Sequence, residues 1–236
     1  MREIRIFKLD KSELRFPPVD LANKDGILAY GGDLRTERIM LAYQKGIFPW
    51  YSEETPILWW APDPRFVLFP EDLKVSKSMR KVLRSNEFKI TFDTAFHEVL
   101  RNCQVMPRDG QDGTWITAEL FDAYLEIHQK GFAHSVEVWR EGELVGGLFG
   151  VSLGGIYFGE SMFSKASNAS KAGFITLVQK MHQKGIQLVD CQVHTNHLES
   201  LGAKHISRDH FTHNLDVLLE ADTFKGSWTP WAKEEA

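Results

Sequence analysis

Apolar residues recur along this chain at two spacings, and the change from one to the other marks its elements. Phe96, Val99, Leu100 and Cys103 repeat at helical spacing behind Thr94, which is read as an N-cap. Leu120, Phe121, Tyr124, Leu125 and His128 share a face of a second helix, capped by Thr117 and stopped by Gly131. Ser76 caps a helix running to about Arg84, with Met79, Val82 and Leu83 facing inward. Asn168 heads a long helix to Lys184, with Gly185 as its stop, and a last helix from Ser207 buries Phe211, Leu215, Leu218 and Leu219. Strand alternation marks Phe88–Phe92 and a meander of Ser135–Arg140, Leu144–Leu153 and Ile156–Met162, turned at Glu141-Gly142 and Gly154-Gly155. Ile186–Val193 reads as a further strand, followed by a short helix from Asn196 to Leu201 and an extended Ala203–Ile206.

The first sixty or so residues pattern differently. A turn at Tyr30-Gly31-Gly32-Asp33 leads to a helix from Thr36 to Lys45, stopped by Gly46. Phe48-Pro49-Trp50-Tyr51 and Trp59-Trp60-Ala61-Pro62-Asp63-Pro64 then form a stiff aromatic and proline crossing. The division expected is a small N-terminal domain over 1–64 and a larger domain over 65–236.

Composition narrows the class. Charged residues are 25% and apolar residues 43% of 236, so the chain can bury a sizeable core. The net charge of −4 rules out a generally basic nucleic-acid coat, but its distribution is uneven. Lys74 to Arg108 carries +5, leaving −9 for the rest. The longest uncharged run, 144–159, has 16 residues and six glycines, short of the roughly 20 apolar residues of a membrane helix. The N-terminal MREIRIFKLD lacks an apolar signal core, and two cysteines make no disulfide framework, so a cytoplasmic setting is expected, with no membrane partner.

The order β-α-α-β-β-β-α-β-α-β resembles the N-acyltransferase fold of the acetyltransferase superfamily, an α+β arrangement of a mixed sheet with flanking helices. In that fold a Gly-rich loop at a helix N-terminus holds a pyrophosphate. Here the corresponding Ser164–Ser170 stretch has no glycine, which argues against coenzyme A as donor.

Longer stretches are more specific: Gly26–Leu34, Ala42–Trp50, Ile57–Arg65, Gly113–Thr117, His134–Trp139, Gly159–Ser164 and Leu188–Val193. On them the chain resembles the leucyl/phenylalanyl-tRNA–protein transferases of the bacterial N-end-rule pathway, from about residue 26 to residue 205. The resemblance implies transfer of Leu or Phe, and Met less well, from aminoacyl-tRNA to the N-terminal Arg or Lys of acceptor proteins, marking them for degradation. It implies partners Leu-tRNA, Phe-tRNA and the acceptor proteins, no cofactor and no metal, since the aminoacyl ester is already activated. The enzyme is expected to be a monomer.

The residues can be read beside that resemblance. Asp190 and Gln192 lie two apart on an apolar strand, so they share a face while Cys191 points the other way. A carboxylate beside an amide can orient and polarise an attacking amine, and the family assigns such a relay to this pair. The plainer reading is a polar pair at the solvent end of a strand. Glu160 is the choice for binding the acceptor, because a terminal Arg or Lys needs a carboxylate partner. The family's aminoacyl side-chain pocket maps onto Leu148, Met162, Phe174, Leu177, Met181 and Val189, positions that ordinary core packing would also explain. Lys77, Arg80, Lys81 and Arg84, at i, i+3, i+4 and i+7, form a cationic stripe suited to tRNA phosphates. Trp50 and Trp115 are read as stackers for the unpaired 3′-adenosine of tRNA, and Trp59 and Trp60 as packed tryptophans.

Two rivals use the same strand. Cys191, His194 and His197 could hold zinc, though a second cysteine is missing. A Cys191–His194 nucleophilic pair could form an acyl-enzyme, against which alternation counts, since it turns Cys191 away from Asp190. A coenzyme-A-dependent acetyltransferase and a non-catalytic tRNA-binding module are the alternative classes. The second explains the cations and tryptophans but leaves Asp190, Gln192 and Glu160 without a task.

Overall fold

Two of the expected caps, Ser76 and Thr117, are made as written, and Ser207 caps the last helix as well. In the computed structural model the side chains of Ser76, Thr117 and Ser207 accept from the backbone N–H of Met79, Leu120 and His210. The structure describes residues 6–106 and 114–233; Arg108, Gly113 and the first five residues, on which some of the sequence reading rests, lie outside them.

In chain order the elements are β1 Phe7–Leu9, β2 Ile27–Gly31, α1 Thr36–Gln44, β3 Phe48–Pro49, β4 Leu58–Trp60 and β5 Arg65–Leu68. Then come α2 Lys77–Arg84, β6 Lys89–Phe92, α3 Phe96–Val105, α4 Ala118–Gln129, β7 Ala133–Arg140, β8 Glu143–Leu153 and β9 Ile156–Ser164. The chain finishes with α5 Ala169–Lys184, β10 Leu188–Gln192, α6 Asn196–Ser200, β11 Lys204–Ile206 and α7 Arg208–Leu218.

Two caps differ from expectation. Thr94 does not cap α3: its hydroxyl donates to the Glu137 carboxylate at 2.7 Å, and the helix begins at Phe96 with no side-chain cap. Asn168 precedes α5 in the left-handed region at φ 67°, and it is Ser164 Oγ, reaching across from β9, that accepts the Ser170 N–H. The first is a bond across 43 residues that local spacing does not encode; the second spans only six, from the end of β9 to the start of α5.

The strands form two sheets. The larger has the order β11-β5-β10-β9-β8-β7-β6, mixed because β9 and β10 run parallel while the other pairs are antiparallel. Its meander turns at Glu141 and Gly142, both at positive φ, as a tight hairpin turn requires. On one face α3 and α4 pack with α1 and α7 in one apolar cluster; on the other, α5 packs with Met79 of α2 and Trp228 and Trp231 of the C-terminal segment. This is the α+β arrangement of a mixed sheet with flanking helices that the element order implied. The smaller sheet, β1-β2-β4-β3, belongs to the first sixty residues, whose strands the sequence reading did not delineate.

One strand of the main sheet was also missed. β5 is four buried residues, Arg65-Phe66-Val67-Leu68, paired antiparallel to both β10 and β11. Buried on both faces, it shows no alternation to read.

The sheet splits beside its centre. β9 pairs with β10 only from Ile156 to Phe158, opposite Leu188 to Asp190. Beyond that β9 continues along β8 to Ser164, while β10 bulges between Asp190 and Gln192 against β5. The strands part there, and the bulge puts Gln192 at φ 61°, a conformation a non-glycine residue rarely adopts. Among the described residues no helix is long and apolar enough to cross a membrane.

Candidate functional site

A cavity of about 390 Å³ opens at this split. Leu148, Phe174, Val189 and Met162 give it an apolar wall, Glu160, Gln192 and Cys191 lie at the parting strands, and Phe48, Trp50 and Trp115 complete one side. Phe48 and Trp50 come from the N-terminal segment, so both sheets contribute to it.

Glu160 lies at the junction. Tyr43 Oη of α1 donates to its Oε1 at 2.8 Å, and Tyr124 Oη of α4 donates to its Oε2 at 2.7 Å. Gln192 Nε2 donates to Oε1 at 2.8 Å. Burial pushes the Glu160 carboxyl up to about 7 against the phenolic hydrogen bonds, with the Asp190 charge adding to the rise. Burial, reinforced by the Glu160 charge, pushes both phenols well above their ordinary range, so they are neutral donors.

Asp190 is placed differently from its expected role. It is fully buried and does not line the cavity. Arg65 Nε and Nη2 grip its two oxygens at 2.8 and 2.7 Å, and the Gln192 N–H donates to Oδ1 at 2.9 Å. The Arg65 guanidinium lies between the rings of Phe48 and Phe211, at 4.6 and 4.7 Å from their centroids. Planar, delocalised and weakly hydrated, a guanidinium suits this clamp between aromatic faces. Asp190 thus fixes the bulge from behind, and Gln192 alone of the pair reaches the cavity. Sequence reasoning passed over Arg65, Tyr43 and Tyr124. The available signals were an arginine opening an apolar run and tyrosines on otherwise core-facing helix stripes.

Cys191 needs a correction too. It does face away from Asp190, packing with Val189 and α5 while Leu188 packs with the opposite cluster. Facing away does not remove it from the site, because the cavity passes through the split and reaches both faces of the sheet. What counts against a thiol nucleophile is its environment: burial first, and then the Asp190 charge, push its pKa far up, away from thiolate formation. His194 pairs instead with Glu199 at 3.2 Å, and His197 lines the cavity with its basicity lowered by burial and by Lys171. Among the described residues no three His, Cys, Asp or Glu side chains gather as a metal site.

Four of the six side-chain pocket residues, Leu148, Met162, Phe174 and Val189, line the cavity; Leu177 and Met181 are fully buried behind it. Trp50 and Trp115 are both partly exposed on its wall, and Trp50 packs on Trp60 at 5.4 Å. Trp59 is buried, with its indole N–H on Gly31 O. Lys77, Arg80, Lys81 and Arg84 are all exposed on α2, which packs against α5 outside the cavity lining.

Two family models match this chain: that described as leucyl/phenylalanyl-tRNA protein transferase over residues 67–216, and the N-terminal domain of the same family over 32–63. The chain belongs to the leucyl/phenylalanyl-tRNA–protein transferase family. Relatives bearing that name include one from Syntrophobacter fumaroxidans, 52% identical over 94% of this chain and 96% of its own length. Another, from Pseudomonas fluorescens, is 56% identical over 88% of this chain and 92% of its own. Among solved structures, L-PGS from Bacillus licheniformis aligns at 17% identity and TM-score 0.37, covering 69% of this chain and 50% of that one. An N-acetyltransferase-like protein from Streptococcus suis aligns at 14% identity and TM-score 0.36, covering 72% and 63%. As a member of this transferase family, the chain is an enzyme.

Proposed function

We propose that this enzyme moves Leu or Phe, and Met less well, from aminoacyl-tRNA to the N-terminal Arg or Lys of acceptor proteins, marking them for N-end-rule degradation. The acceptor's α-amine attacks the aminoacyl ester directly. The observation that carries this reading is the juxtaposition in one cavity of an apolar wall with a carboxyl–amide pair, Glu160 and Gln192, at the strand split. Leu148, Met162, Phe174 and Val189 offer a pocket for an unbranched-at-Cβ apolar side chain, with Met162 flexible enough for both a branched and an aromatic guest. Trp50 and Trp115 offer flat faces for the terminal adenosine. The α2 cations Lys77, Arg80, Lys81 and Arg84 would meet the phosphates of the tRNA.

Glu160 and Gln192 would receive the acceptor's amino terminus. Gln192 orients the amine by hydrogen bonding, since an amide is no base. Asp190, clamped by Arg65, acts through Gln192 by holding the bulge. The ester supplies the driving force, so the reaction calls for no ATP, coenzyme A or metal. Incubation with radiolabelled Leu-tRNA and an Arg-starting peptide tests the reading: label should pass to the peptide, and a peptide left unlabelled would overturn it. Omitting each proposed acceptor residue in turn, Arg or Lys, checks the terminal preference.

A further inference from the structure

Tyr43, Tyr124 and Glu160 close a ring of three oxygen contacts that holds one hydrogen too few. The phenol oxygens lie 2.9 Å apart, Tyr43 is 2.8 Å from Oε1 of Glu160, and Tyr124 is 2.7 Å from Oε2. With Glu160 ionised, two phenolic hydrogens serve three contacts, so one contact always lacks a proton. A proton on Oε2 completes the circuit: Oε2–H to Tyr124, Tyr124 O–H to Tyr43, Tyr43 O–H to Oε1. Oε1 is the poorer site for that proton because it also accepts from Gln192 Nε2.

Resting on the transfer reaction proposed above, we infer that Glu160 is the group that takes the proton from the acceptor's α-ammonium, with Tyr43 and Tyr124 as positioning residues that complete its hydrogen bonding once it is protonated. The step balances. The ammonium N–H bond breaks, its electron pair stays on nitrogen, and the proton goes to Glu160 Oε2. The freed amine forms the C–N bond to the ester carbonyl carbon. The C–O bond to ribose then breaks, and a second amine proton leaves on the ribose oxygen as its hydroxyl. The proton held by Glu160 returns to solvent when product departs.

The groups facing Glu160 suit this task. Tyr43 comes from α1, Tyr124 from α4, and Gln192 and the Arg65-clamped Asp190 from the β10 side; Tyr157, two residues before the Gly159-Glu160 pair on the same strand, is neutral. The carboxyl's value of about 7 stands within about a unit of an ordinary α-amine, so a proton passes between them without a large penalty.

The test is the pH profile of single-turnover transfer in the full-length wild-type, Glu160→Gln, Tyr43→Phe and Tyr124→Phe proteins. If Glu160 is the proton acceptor, Glu160→Gln loses on the order of 10²–10⁴ in kcat near neutral pH, where the carboxyl ionises while the amine is still an ammonium, and the loss shrinks as rising pH supplies free amine. Most of the loss falls on kcat, with only a smaller rise in the acceptor KM from the contact that Glu160 makes to the bound amino terminus. An acceptor peptide carrying an aminooxy group in place of the α-amine, neutral throughout, restores most of the Glu160→Gln rate. Each Tyr→Phe variant, a milder change should Glu160→Gln fold poorly, shows a smaller loss of the same pH dependence. A Glu160→Gln loss that is uniform with pH, lies mainly in KM, or persists with the aminooxy acceptor would assign Glu160 to binding alone and overturn the inference. A wild-type protein inert toward charged tRNA would instead overturn the underlying reaction, and this role with it.

Discussion

Arg65 grips both carboxylate oxygens of Asp190 at 2.8 and 2.7 Å, and both residues are fully buried. A buried pair of this kind gains little over an apolar pair of the same shape, yet removing one partner strands a charge. Asp190→Ala should therefore destabilise the fold by roughly 3–5 kcal/mol as well as lowering activity. Urea unfolding measures the first effect. Arg65→Lys cannot make the bidentate grip and should show a loss of the same kind, smaller in size. If Asp190→Ala kept full stability while losing rate, Asp190 would have to act directly on substrate.

Glu160 links stability to pH. Its carboxyl stands at about 7 in the fold, above its ordinary 4.5. Between those values the folded state binds more protons than the unfolded state, so this group's contribution is full at acid pH and is lost as pH rises through 7. Glu160→Gln, which never ionises, should gain on wild type across that window, by on the order of 3 kcal/mol at most. Melting temperatures of the two proteins at about pH 5 and pH 8 give the difference. A gap that does not move with pH would show that Glu160 ionises normally.

Cys191 reaches the cavity, yet its thiol is held protonated. Cys191→Ala should stay active, with a modest stability loss from the space it leaves. Intact-mass measurement after incubation with charged tRNA alone should find no aminoacyl adduct. A thioester on Cys191, together with an inactive Cys191→Ala protein, would replace direct attack with a two-step transfer.

The α2 stripe carries a salt signature. Replacing Lys77, Arg80, Lys81 and Arg84 by Ala should weaken tRNA binding and flatten the log K against log salt slope by roughly 0.7 to 1 per lost phosphate contact. Transfer from a short aminoacyl-adenosine donor, which has no tRNA body, should change little. An unaltered slope in the fourfold variant would remove α2 from the tRNA surface.

The elements of the main sheet were legible wherever a period could be read. The α3 stripe Phe96, Val99, Leu100 and Cys103, the meander, and the caps Ser76 and Thr117 all appear as expected. Thr94 was misread because its hydroxyl is taken by Glu137 of a distant strand, and Asn168 because its left-handed backbone leaves the nearby Ser164 to accept the Ser170 N–H. The short strands β1 to β4 escaped because two to five residues carry too little pattern. Glu160, Gln192 and the aromatic wall were visible as residue types, but the spacing between Asp190 and Gln192 suggested a shared task that burial divides between them.

The sequence by itself determined which faces are apolar, where helices stop and which residues carry charge, because these follow from local period and side-chain chemistry. Only the tertiary structure decided that Arg65 would clamp Asp190 from 125 residues away, and that Tyr43 would reach Glu160 across 117. It also decided that β9 and β10 would part, opening one cavity to Cys191 on one face and Gln192 on the other. Those outcomes depend on strand order and on which long-range partner satisfies a buried polar group, and neither is written in the spacing of neighbouring residues.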